Sequence, residues 1–297
     1  MFTILKKNLM LLIACSFLVA ASSLPLLAGE ASLLTLSERN APIGYTVSGD
    51  GDKTIVFIHG FMDAGNVWEA TIRQMNSQIY RFVTLDLPFM GELSELEGEV
   101  SLAALAEAVT GVVDDLSGPI TLVGQSMGAQ IAELVAYSRP DRIKAMAFIA
   151  PVPLEGLPVP VEFITTMEAL ANNEAGQQEF RRQAFPDLEE KELEKIVDNG
   201  LKISRANIVA LIEAWSNGHP AIGASGPSIP VLIVGGAVDA VCTPEVLESL
   251  IAPRFSMKKI VLLPDAGHWP HIDHADEVAE KLEEFLTALG ADNIWNK

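Results

Sequence analysis

The pentapeptide Gly124-Gln125-Ser126-Met127-Gly128 has the form G-x-S-x-G. An apolar run at 119–123 precedes it. A helical pattern over 129–136 follows, with Ile131, Leu134 and Val135 on one face. Strand, tight turn, helix is the context in which such a serine sits at a strained backbone position with its hydroxyl above a sheet. Glycines at 124 and 128 fit, because a side chain at either would crowd the turn. The N–H groups that open the helix face any negative charge forming beside Ser126. The spacing offers Ser126 as a nucleophile; the plainer reading is a glycine turn with a bystander serine.

A serine hydroxyl attacks near neutral pH only if a base takes its proton, and that base needs an orienting carboxylate. His268, in Asp265-Ala266-Gly267-His268-Trp269 just past the last predicted strand, is the preferred base. Its plainer role would be to structure a loop. His59 ends a strand, His219 precedes a proline, and His271 and His274 lie beyond His268 toward the last helix. Asp239, just past the apolar run 231–234 and its two glycines, is the preferred carboxylate. Glu155 is the reserve, and Asp265 is too close in sequence to His268. A tetrahedral oxyanion needs two fixed donors. The backbone N–H groups of Met127 and Phe61, the latter in His59-Gly60-Phe61, are the candidates. Asp63 lines the entrance or, more plainly, organises its loop. His268, His271, Asp273 and His274 together invite a metal reading, but their loose spacing fixes neither tautomer nor geometry. No metal or cofactor is expected.

These residues need a frame that brings them to one edge. Runs at 43–47, 54–58, 80–85, 119–123, 143–149, 230–234 and 259–263 read as strands, with a further one at 33–37. Helical patterns lie between them: 66–77, 101–116 with Ser101 as cap, 129–136, and 275–289 with Val278, Leu282, Phe285 and Leu289 inward. Thr243 caps a helix with Pro244 in its first turn. The alternation implies an α/β fold with a parallel sheet wrapped by helices on both faces. It breaks at Pro151, Pro153, Pro158 and Pro160. From there to about 219 only helices are expected, one capped by Asp187 with Glu190 reaching back, one capped by Ser204. Residues 151–222 read as a helical lid inserted into a core of 29–150 and 223–297.

Residues 1–28 read as a secretory signal peptide: Lys6 and Lys7, an apolar stretch from Leu9 to Ala21, and small residues near Ala21 or Ala28 for cleavage. An uncleaved anchor and a lipobox at 12–15 are the alternatives. The expected location is periplasmic or extracellular, with no later stretch suited to spanning a bilayer. The chain carries a formal charge of −19, and loss of the leader removes two lysines and no acids. Such a surface repels nucleic acid and anionic lipid. Cys15 and Cys242 are the only cysteines, so the mature chain has no internal disulfide.

Together, residues 57–61 (Phe57 to Phe61), Asp86-Leu87-Pro88, Gly124 to Gly128, the Asp239 turn and Gly267-His268 resemble the α/β-hydrolase fold superfamily over about 43–289. The resemblance is to its lidded branch of esterases, lactonases, C–C bond hydrolases, cofactor-free haloperoxidase-like enzymes and proline iminopeptidases. It implies a doubly wound, mostly parallel sheet of the eight-stranded type. It also implies acyl transfer to water through Ser126, Asp239 and His268; the acid-rich helical lid with apolar inner faces suggests a small, fairly apolar carboxylic ester as substrate. Phe89-Met90-Gly91 stands where the family has Gly-x-Gly, and Gln125 where a histidine commonly precedes the serine. A serine rather than an aspartate nucleophile speaks against the dehalogenase and epoxide hydrolase branches. Another triad reaction (C–C hydrolysis, aminopeptidase, acyl transfer) is the alternative, as is a ligand-binding protein that lost turnover.

Overall fold

The computed structural model describes residues 42–220 and 225–289. The expected leader and the expected strand at 33–37 lie outside them. Among the described residues no helix is long and apolar enough to cross a membrane.

Among the described residues seven strands form one sheet: β1 (Gly44–Ser48), β2 (Lys53–Ile58), β3 (Tyr80–Asp86), β4 (Ile120–Gln125), β5 (Ile143–Ile149), β6 (Val231–Gly236) and β7 (Lys258–Leu263). Their order is β1-β3-β2-β4-β5-β6-β7. Only β1 runs antiparallel, pairing Gly44 with Asp86 through to Ser48 with Phe82. The continuous apolar runs in β2 and β4 are buried on both faces, as inner parallel strands must be.

Alternate residues of the inner strands feed two separate cores. Val56, Ile58 and Leu122 pack on one side beneath α2 (Leu102–Asp115) and α3 (Met127–Ser138) through Leu105, Val109, Ile131 and Val135. Ile55, Phe57 and Val123 pack on the other beneath α1 (Glu69–Gln74) and the closing helix at Ala275–Ala288, through Trp68, Val278, Leu282 and Phe285. The Ser101 hydroxyl accepts from the Ala104 N–H at 3.2 Å and fixes the start of α2, a cap worth about 1 kcal/mol.

Between β5 and β6 the chain makes four helices, α4 (Val161–Glu168), α5 (Glu174–Ala184), α6 (Glu190–Leu201) and α7 (Arg205–Asn217). Two later short helices are α8 (Pro244–Val246) and α9 (Pro270–Asp273), which makes the closing helix α10. Ser204 caps α7 and Thr243 caps α8 through their side chains. Two expectations fail. Asp187 does not cap α6, which starts at Glu190 behind Glu189. Arg182 of α5 binds both the Leu188 carbonyl and the Glu190 carboxylate, and so holds the connector out of the helix. The pattern at 66–77 is shorter than its periodicity implied. It is a 3-10 turn at Gly65–Trp68 followed by α1, and ends where Met75 turns extended.

His271 of α9 is fully buried against Trp68, ring centroids 4.5 Å apart, and neither ring nitrogen has a partner among the described residues. Burial, helped by nearby His268 and His59, pushes its pKa down to about 3. Unfolded, the ring titrates near 6.5. Between those values only the unfolded chain takes up the proton, so this contribution is complete above about pH 6.5 and is lost as pH falls toward 3. Urea midpoints measured from pH 7.5 to 4 should therefore fall with pH, and His271→Phe should flatten that slope. His59, shifted in the same direction by burial, leaves some slope in the variant. An unchanged slope in His271→Phe would exclude His271 as its source.

Candidate active site

Parallel strands end at one edge of a sheet, and the candidate residues all lie just past such ends. Ser126 follows β4, Asp239 lies three residues beyond β6, and His268 five beyond β7. Phe61 lies three residues beyond β2. The loops after β6 and β7 are joined backbone to backbone: the Ala237 N–H donates to the Leu263 carbonyl at 2.9 Å, and the Val238 N–H to the Ala266 carbonyl at 3.1 Å. That pairing sets Asp239 beside His268.

Ser126 has φ +52° and ψ −118°, a conformation rare for a residue with a side chain. Its N–H donates to the Ile149 carbonyl at 3.0 Å, which anchors the turn to β5. The flanking glycines are required by close approach. A Cβ on Gly124 would lie 2.4 Å from the Gly128 carbonyl oxygen, and one on Gly128 would lie 2.4 Å from that of Ile58. Met127 opens α3, so its N–H has no acceptor within the helix.

The side chains form a chain of contacts. Asp239 Oδ2 lies 2.8 Å from His268 Nδ1, and His268 Nε2 lies 3.0 Å from Ser126 Oγ. Asp239 is buried, and its Oδ1 accepts from the N–H groups of Val241 and Cys242 at 2.7 and 2.9 Å. Burial pushes the carboxyl pKa up. The hydrogen bond and charge of His268, with those two backbone donors, more than offset it, so Asp239 titrates below the usual range. An ionised carboxylate only accepts. The imidazole proton therefore sits on Nδ1, which leaves the Nε2 lone pair facing the serine hydroxyl.

Asp239, Cys242 and His268 place three ligand atoms within 4.8 Å of one another. Both oxygens of Asp239 are engaged as described. Burial, helped by Asp239, raises the Cys242 pKa and keeps it a neutral thiol. The donor set orients an imidazole rather than presenting lone pairs to a cation. The looser set considered in sequence does not assemble: His271 is sealed against Trp68 and His274 binds Asp273.

The remaining candidates have other partners. His59 is fully buried, donates from Nδ1 to the Gly60 carbonyl and accepts at Nε2 from the Leu87 N–H, so it structures its loop. Glu155 binds Arg254, which also binds the buried Glu133. Asp63 is completely buried and does not line an entrance. Phe89, at φ +71°, and Met90 do not line the cavity beside the serine.

That cavity measures about 160 Å³. Ser126, His268, Phe61, Val152 and Val241 form its floor, and Phe163, Met167, Phe180 and Trp215 from the four-helix insertion form its roof. Three residues to which the sequence assigned no role hold the site together. Gln125 Nε2 donates to the His268 carbonyl at 3.0 Å, so the residue before the serine steadies the histidine loop. Trp269 Nε1 donates to Asp63 Oδ2 at 3.0 Å, and Arg181 of α5 binds Asp63 Oδ1 at the same distance. Adjacency to Ser126 and His268 was a signal for Gln125 and Trp269. Nothing local marks Arg181, 118 residues from its partner.

A model of the alpha/beta hydrolase family matches residues 55–281. A pimeloyl-[acyl-carrier protein] methyl ester esterase of Aeromonas hydrophila is 26% identical over 78% of this chain and 94% of its own length. The dihydrolipoyllysine-residue acetyltransferase component of an acetoin cleaving system from Pseudomonas putida is 27% identical over 82% of this chain, which spans 65% of that relative's length. A bromoperoxidase from Bacillus anthracis has the same fold, with a TM-score of 0.74 and 24% identity over 87% of this chain and all of the other. With the family model matched over most of the described fold, and with the same parallel sheet beneath the serine turn, the chain belongs to the alpha/beta hydrolase family.

Proposed function

We propose that the protein is a serine hydrolase that cleaves a small, fairly apolar carboxylic ester through an acyl-enzyme on Ser126. The observation that carries this reading is the unbroken contact from Asp239 through His268 to Ser126, 2.8 and 3.0 Å, opening on an apolar cavity. Several of the similar proteins are hydrolases, among them the methyl ester esterase named above and a 2-hydroxy-6-oxononadienedioate hydrolase of Klebsiella pneumoniae, which supports the reading.

In the first half-reaction His268 Nε2 takes the Ser126 proton as Oγ bonds to the ester carbonyl carbon. Ionised Asp239 stabilises the imidazolium that results. The carbonyl oxygen becomes an oxyanion, received by the Met127 N–H at the head of α3 and by the Phe61 N–H after β2. When the tetrahedral adduct collapses, the C–O bond breaks and Nε2 returns the proton to the departing alcohol. Water then repeats the sequence on the acyl-enzyme, releasing the acid and restoring the serine. The two oxyanion donors are backbone groups fixed by the fold, so they need little reorganisation as charge develops.

The cavity limits the acyl group. A dry cavity of about 150 Å³ holds a benzene ring, so about 160 Å³ accommodates roughly six carbon atoms. Its walls are mostly aromatic and aliphatic, with Gln125 and Arg181 among them, and favour an unbranched or short branched chain over a polar one.

A fluorophosphonate probe should label the wild-type protein stoichiometrically, and Ser126→Ala should abolish the labelling. Unlabelled wild-type protein in a folded state would instead indicate a binder without turnover. Asp239→Asn, which removes the fixed tautomer, should lower kcat about 10³- to 10⁴-fold at pH 7. On a series of p-nitrophenyl esters, kcat/KM should peak at acyl chains of about four to six carbons and fall at least about tenfold by about twelve. A flat or rising series would rule out the cavity as the acyl site. Product analysis on β-diketones and prolyl amides separates ester cleavage from C–C or peptide hydrolysis.

A further inference from the structure

The geometry points to Arg181 as a positioning residue for this reaction. From α5 of the insertion it fixes both the turn that carries the Phe61 N–H and the loop that carries His268. The inference rests on the serine hydrolase reading above and adds the insertion to its working parts.

Arg181 and Asp63 form an ion pair with no exposed side-chain surface on either partner. One nitrogen, Nη2, makes two bonds: to the Asp63 Oδ1 at 3.0 Å and to the Met62 carbonyl at 2.7 Å. Both acceptors directly follow Phe61 in the chain. Met62 itself has φ +62°, which a residue with a side chain keeps only where its neighbours hold it there. Arg181 is the neighbour that binds both its carbonyl and the next side chain.

The other oxygen of Asp63 reaches the opposite half of the site. Oδ2 accepts from Trp269 Nε1 at 3.0 Å. Trp269 follows His268, and its ring lies edge-on to the imidazole, centroids 5.0 Å apart at 85°. The guanidinium carbon lies 5.5 Å from the centroid of the same indole. One carboxylate thus joins the oxyanion turn to the base loop, and one guanidinium holds that carboxylate in place.

Stability alone does not account for this arrangement. A fully buried ion pair is often no better than apolar packing of the same volume. Here Nε and Nη1 of Arg181 have no partner among the described residues, so the group is not placed for the most hydrogen bonds. Its two bonds go where catalytic geometry is set. Elsewhere the insertion is fastened by a reciprocal amide pair, Asn66 with Asn199, and by half-exposed pairs such as Lys195 with Glu69. Those contacts touch neither Phe61 nor His268.

The test compares the wild type with two variants. The double variant Arg181→Met with Asp63→Asn removes both charges, so neither is left buried alone. Trp269→Phe keeps a ring but deletes the bond to Asp63. Active sites are counted by fluorophosphonate titration. For each protein we would measure kcat per titrated site and KM on p-nitrophenyl butyrate, the inhibition constant of an alkyl boronic acid, and the thermal midpoint. The double variant should lose about 10²-fold in kcat with KM within about threefold, and boronate affinity should fall in step with kcat. Trp269→Phe should lose about tenfold in kcat in the same pattern. If the double variant does not fold, Trp269→Phe decides by the same readouts. A lower thermal midpoint with kcat per site and boronate affinity within about twofold of wild type would overturn the inference and leave the pair as structural glue. Wild-type protein that takes no label would overturn the hydrolase reading itself, an outcome distinct from labelled wild type with unaltered variants.

Discussion

The structure depends on keeping one serine in a backbone conformation that serine avoids. At φ +52° the turn after β4 aims Oγ at His268 Nε2, and the surroundings hold it there. The Ser126 N–H is tied to β5, and two glycines let the turn, α3 and the end of β2 approach to distances that a Cβ would forbid. The same packing fixes where α3 begins, and hence where the Met127 N–H points. The Ser126 hydroxyl and the first N–H of α3 are therefore set by a single local strain, maintained by the inner strands of the sheet.

The sheet supplies the second constraint. Because β2, β4, β6 and β7 are parallel, their carboxyl ends share an edge, and offsets of one to five residues suffice to bring Phe61, Ser126, Asp239 and His268 together. Hydrogen bonds between the β6 and β7 loops leave little freedom in how acid and base meet. The ionisation of Asp239 then follows from the contest between burial and its donors, and it fixes the imidazole tautomer. Proton, lone pair and hydroxyl fall into line without any group needing to move far.

The four-helix insertion completes what the sheet leaves open. It adds Phe163, Met167, Phe180 and Trp215 to the lining of the cavity beside Ser126. It also sends Arg181 down to Asp63, a buried contact between an element that lines the cavity and the loop after β2. The surface pairs at Lys195 and Lys202 add little, because exposed ion pairs are worth about 0–1 kcal/mol each.

Much of this was legible in the sequence because the signals are local. Continuous β-branched runs marked the inner strands. G-x-S-x-G between strand and helix marked the turn that carries Ser126, and Gly267-His268 after the last strand marked the imidazole that meets it. The order of those segments implied that their ends share an edge. Local signals failed where a distant side chain decided the outcome. Asp187 looked like a helix cap, but Arg182 of the preceding helix held that segment out. Asp63 looked like a loop organiser, and only the folded chain shows it joining Arg181 to Trp269, 118 and 206 residues away. Gln125 read as a departure from the family pattern until its amide was seen to hold the His268 carbonyl. Propensity and periodicity act between near neighbours, so residue types and their spacing determined the strands, the turn and the chemistry on offer. The pairing of buried polar groups depends on which elements pack together in space, so tertiary structure alone decided how that chemistry is held.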